Sequence, residues 1–125
     1  MLLLAMLCLT PTSSRAGCII RKRVMVSTYN ATQSQCGKDP HINSAGNRPK
    51  PGDAGISPAL RKALGLTWGD LVLSTSHGLF EITDHTNKRF RRTVDLLILS
   101  SEAHFREEQV VTFIKLGCIL KSKPR

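Results

Sequence analysis

Apolar and polar positions along this chain alternate in short runs, not with a helical period. Val24-Met25-Val26-Ser27-Thr28-Tyr29 is rich in β-branched residues and predicts a strand. Leu71 to Thr75, Leu79 to Thr83, Leu96 to Leu99 and Val110 to Leu116 predict further strands. Ser57 to Gly65 reads as a short helix, with Ser57 at the N-cap, Pro58 at the first helical position and Gly65 just past the C-terminus. A second helix of about two turns is expected from Ser100 or Ser101 through Gln109, with Glu102 in its first turn. Asn30 to Asp53 is polar and rich in Gly, Pro, Asn and Ser, which predicts a long excursion without regular structure, a feature that points to function in a compact domain. Regular βαβ alternation, internal repeats and heptads are absent from the sequence. The expectation is a mainly β fold: a small, mostly antiparallel barrel of five or six strands with one or two short helices.

Composition narrows the setting. A chain of 125 residues makes one domain, and with only one Trp, one Tyr and four Phe its core must be aliphatic. The 18 Lys and Arg against 9 Asp and Glu give a net charge of +9 and suggest an anionic partner. Leu2 to Leu9 is apolar but too short to span a bilayer, and small residues, Ser14 and Ala16, precede Gly17 as at a signal cleavage site. Residues 1–16 are therefore expected to be a secretory signal, 17–120 the barrel domain and 121–125 a basic tail. Export, to the periplasm or cell envelope, argues against nucleic acid as the working partner. Cys18, Cys36 and Cys118 remain after the signal. Cys18 and Cys118 are the expected disulfide if the terminal strands are neighbours, and one thiol is left over. Metal ligation is the alternative, but no CxxC or HxxxH spacing supports it, so no metal and no cofactor are expected.

The chemistry concentrates between Gly78 and Leu99. Asp84 ends one apolar run and Asp95 opens the next, with Lys88, Arg89, Arg91 and Arg92 between them. A carboxylic acid at a strand end among apolar neighbours can be kept partly protonated by desolvation and can then donate to a leaving oxygen. In glycoside cleavage a second group supplies or activates the nucleophile, unless a hydroxyl of the substrate attacks. The competing reading is structural: Asp84 caps a turn and Asp95 pairs with Arg89 or Arg91, whose charges favour a carboxylate over an acid. Phe90 among these cations offers a face for a sugar ring.

Five segments, taken in order, resemble the three-aspartate (3D) domain family. They are Thr28-Tyr29-Asn30, the loop Gly46-Asn47-Arg48-Pro49-Lys50-Pro51-Gly52, Ile56-Ser57, Asp84-His85-Thr86-Asn87-Lys88-Arg89-Phe90 and Val94-Asp95-Leu96. The resemblance spans about Val24 to Leu116. It implies a six-stranded double-psi β-barrel, related to the catalytic barrel of membrane-bound lytic murein transglycosylase A, and a role in the cell wall. It implies that an Asp protonates the glycosidic oxygen while the muramic C6 hydroxyl closes an anhydro ring. The second and third family aspartates fall on Asp84 and Asp95, and the first falls on Ser57. Asp95 is then the expected acid/base, with Asp84 orienting it or raising its proton affinity. Tyr29, Thr28, Arg48, Lys88 and Arg89 are the expected substrate contacts. Two departures stand out: Ser57 replaces the first aspartate, and His85-Thr86-Asn87 replaces the usual Gly-Gly. Two functions follow as expectations, a monomeric lytic transglycosylase of peptidoglycan strands or a non-catalytic peptidoglycan-binding module.

Overall fold

The structure, a computed structural model, describes residues 17–30, 42–99 and 102–121. The expected signal segment, Cys36, the Ser100 and Ser101 expected to cap a helix, and most of the basic tail lie outside them. Six strands, β1 (Ile19–Asn30), β2 (Asp53–Ile56), β3 (Leu71–Ser74), β4 (Gly78–His85), β5 (Thr93–Ile98) and β6 (Arg106–Ile114), close into a barrel in the order β1-β5-β2-β4-β3-β6. The helices are α1 (Pro58–Leu64) and α2 (Leu116–Lys121). Strands β1 and β5 run parallel, as do β2 and β4, and the other neighbours are antiparallel. This closed, mixed barrel is compatible with a double-psi barrel. Closure leaves no sheet edge unpaired.

Period-2 alternation builds the core. Val24 and Val26 of β1, Val94 and Leu96 of β5, and Val111 and Phe113 of β6 point inward and meet Ala54, Ile56, Val72, Phe80 and Ile82. The core is aliphatic with two phenylalanines, Phe80 and Phe113, among its buried members. Helix α1 closes one end through Leu60. Gly65 takes the left-handed conformation (φ 66°), and the N–H groups of Gly65 and Leu66 cap the last carbonyls of Lys62 and Arg61.

Three expectations need correction. Strand β2 begins at the residue where the irregular excursion was expected to end and fills residues 54–56, for which no element was expected. Its four residues, Asp53-Ala54-Gly55-Ile56, are too few to show a pattern, yet they pair with β4 on one side and β5 on the other. The expected helix from Ser100 or Ser101 through Gln109 is replaced, in the described part, by a turn at Glu102 and then β6. Nine residues of the long β1 pair with this segment, from Ser27↔Arg106 to Ile19↔Ile114, and that ladder overrides the local helical preference of a charged stretch. Finally, β6 ends at Ile114, and helix α2 occupies Leu116–Lys121. Asp70 accepts the Leu116 N–H at the start of this helix (3.0 Å), and a disulfide joins Cys118 to Cys18 with the Cα atoms 5.4 Å apart.

Candidate functional site

A groove of about 630 Å³ lies along the outer wall of the barrel, and both Asp84 and Asp95 line it. Strand register explains how they meet there. Gly55 of β2 is the partner of Asp95 on β5 and of Asp84 on β4. The aspartates thus flank a residue with no side chain, two strand spacings or about 10 Å apart along the backbone. On β5, Asp95 lies between inward-facing Val94 and Leu96, so alternation alone turns it outward. On β4 alternation gives the opposite answer. Phe80 and Ile82 face the core, and Asp84 would follow them. An irregularity in the β2–β4 ladder prevents this. Ala54 pairs with Ile82 but Gly55 with Asp84, so Thr83 is an extra residue that flips Asp84 onto the groove face.

The two carboxyls are held differently. Asp95 accepts the Ser27 hydroxyl at 2.9 Å, across the β1–β5 ladder. Burial pushes its pKa above the ordinary carboxylate value, against the opposing effects of the Ser27 hydrogen bond and the Arg106 charge. Asp84 is more fully engaged. One oxygen, Oδ1, accepts the Ser44 N–H (3.1 Å), the Ser44 hydroxyl (2.8 Å) and the His85 N–H (2.9 Å). It pins the 42–52 loop over the groove, and Pro49 of that loop lines it. Asp84 is not what raises the proton affinity of Asp95; desolvation is. The cation that acts on Asp95 is Arg106 of β6, not an arginine of the 85–92 loop. The expected pairing of Asp95 with Arg89 or Arg91 is likewise absent among the described residues, where Arg92 instead lies 4.0 Å from Glu108.

The expected contact residues separate into two groups. Tyr29 and Thr28 line the groove. The Thr28 hydroxyl accepts the Phe105 N–H at 2.8 Å, so it also anchors the entry to β6. Arg48, Lys88 and Arg89 are exposed and lie outside the groove lining. Arg89 stacks on Phe90, 4.8 Å from its ring centroid, and Phe90 itself faces the groove. Ser57, expected as a side-chain cap for α1, makes no such bond although it occupies the N-cap position. Its buried hydroxyl accepts the Thr93 N–H (2.8 Å) and bonds the Thr93 carbonyl (3.2 Å), clamping the start of β5 beneath the groove.

Sequence reasoning missed Ser27, Gly55, His85 and Arg106. Ser27 is legible afterwards as an outward position between Val26 and Thr28, but its partner is 68 residues away. Arg106 was hidden by the helix expected over it. His85 is fixed by neighbours on α1 and the following turn. Its Nε2 accepts the Arg61 Nε–H at 3.0 Å, and Trp68 meets its ring edge-on at 4.9 Å. Arginine can only donate, so neutral His85 carries its proton on Nδ1. Burial, then the Arg61 charge, lower its pKa. Among the described residues no cluster of His, Cys, Asp or Glu is arranged to hold a metal ion, and no helix is long and apolar enough to cross a membrane.

Comparison with family models, with curated proteins and with solved structures returned no match.

Proposed function

We propose that this protein is an exported cell-wall barrel of the three-aspartate type that cleaves peptidoglycan glycan strands without water, as a lytic transglycosylase. The observation that carries the reading is Asp95: a carboxyl with raised proton affinity, on a strand wall, inside a groove large enough for a ligand. Such a group suits general acid catalysis near neutral pH better than an ordinary aspartate does. Its proton passes to the glycosidic oxygen as the C1–O bond breaks, and the leaving sugar departs as an alcohol. The Asp95 carboxylate then takes the proton of the substrate's own C6 hydroxyl as that oxygen bonds to C1, closing the anhydro ring and restoring the acid. Asp84 holds the loop that walls the groove, which makes it a positioning residue in this scheme.

The experiment is incubation of the purified protein with murein sacculi. Anhydro-muropeptides should appear, and Asp95→Asn should abolish their release by at least about a hundredfold while leaving the fold intact. A second reading, a non-catalytic peptidoglycan-binding module, is favoured by Ser57, whose hydroxyl is occupied by Thr93 where the family carries an acid. Sedimentation with sacculi without product release selects that reading.

A further inference from the structure

Cross-strand register assembles more than the two aspartates. Asp95 is paired with Ser27 on β1, and Ser27 is paired with Arg106 on β6. One row therefore runs Arg106, Ser27, Asp95, Gly55, Asp84 across five neighbouring strands, and every member lines the groove. The row is polar from end to end, with a guanidinium at one side and carboxyls toward the other.

Arg106 differs from the other cations of this basic protein. Among the described residues it is the one Lys or Arg that lines the groove. No carboxylate of the described residues lies within ion-pair distance of it; the ion pairs present are Lys50–Asp53 and Arg92–Glu108. Asp95 sits two strands away, about 10 Å along the backbone, and its hydrogen bond is to Ser27 instead. A planar fork of five N–H donors thus borders the groove without a protein acceptor of its own charge class. A surface meant for a polyanion would carry several cations along its track. A single guanidinium beside a sugar-sized groove fits one carboxylate, which it can bind through two parallel hydrogen bonds.

We propose that the groove recognises a glycan bearing a free carboxylate, with that carboxylate docked on Arg106 and the scissile oxygen at Asp95. The inference rests on the glycan reading above and adds the class of sugar and its direction in the groove. Occupation of Arg106 also neutralises the charge that opposes the acid form of Asp95. A bound carboxylate therefore favours the protonated catalyst, and a neutral sugar does not.

Titration calorimetry on the full chain tests this with two oligosaccharides of equal length. One is a neutral N-acetylglucosamine oligomer, and the other alternates N-acetylglucosamine with muramic acid whose lactyl carboxylate is free. The carboxylated oligomer should bind about tenfold more tightly. Arg106→Gln should reduce its affinity to that of the neutral oligomer and leave the neutral one unchanged. Arg106→Lys, which keeps the charge but not the fork, should retain part of the preference; it also serves if the Gln variant fails to fold. Equal binding of both oligomers by the unaltered protein, or a preference that survives Arg106→Gln, overturns the role of Arg106 and leaves a glycan groove standing. Binding of neither oligomer overturns both.

Discussion

Asp70 and Asp95 are both drawn away from bulk water, and the barrel gives their carboxyl oxygens different partners. Asp70 is buried at the junction of the α1–β3 turn and α2. It accepts the Thr67 N–H at 2.9 Å on one oxygen and the Leu116 N–H at 3.0 Å on the other. Each oxygen closes a backbone turn, and the nearby Cys18–Cys118 disulfide ties the same helix to the start of β1. Asp95 is also withdrawn from water, but it receives one side-chain hydroxyl and no backbone N–H. Burial with backbone donors makes a joint; at Asp95, burial without them raises the proton affinity of the carboxyl. Depth alone therefore does not distinguish the two carboxyls; their donors do.

The largest effect expected from breaking this contrast is at the junction. The disulfide closes a loop across a sequence separation of 100 residues, for which chain-entropy arguments give about 5 kcal/mol of stabilisation. A Cys18→Ser, Cys118→Ser protein should lose stability of that order in denaturant unfolding, while the fraction that remains folded keeps the glycan affinity proposed for the groove. An equal loss of affinity would show that the two regions are coupled.

Exchanging the carboxyls one at a time comes next. Asp70→Ala leaves two backbone N–H groups without acceptors and should cost about 2–4 kcal/mol, again read from denaturant midpoints. Asp95→Asn should behave in the opposite sense, because burial makes the ionised form of Asp95 costly and the amide carries no charge. The variant should be at least as stable as the unaltered protein even as cleavage is lost. Destabilisation by Asp95→Asn comparable to that of Asp70→Ala would make Asp95 a joint as well.

The smallest effects are pH slopes, and they have opposite signs. Asp95 has a raised folded-state pKa, so its stabilising contribution is complete below the ordinary value of 3.8 and is lost as pH rises through the folded value. His85 has a lowered one, so its contribution is complete above 6.5 and is lost as pH falls through the folded value. Difference curves of stability against pH, Asp95→Asn and His85→Gln each against the unaltered protein, should slope in these opposite directions. A flat Asp95 difference curve would remove the physical basis for the acid role proposed for it.

Much of this was legible in the order of residues. Val24 to Tyr29, Leu71 to Thr75 and Leu79 to Thr83 stand out as short apolar, strand-forming runs, and Ser57-Pro58 and Gly65 bracket α1 at both ends. Asp95 between Val94 and Leu96 is outward-facing by local pattern alone. These features depend on neighbours within a few positions, which is the range over which backbone propensity and side-chain alternation act. The tertiary structure decided the rest. β2 exists because β4 and β5 flank it, Arg106 lies on a strand because β1 is long enough to pair with it, and Asp84 faces the groove because of one extra residue in a parallel ladder. Each of these depends on partners brought together by barrel closure, whose hydrogen bonds connect residues too far apart along the chain for any local pattern to record them.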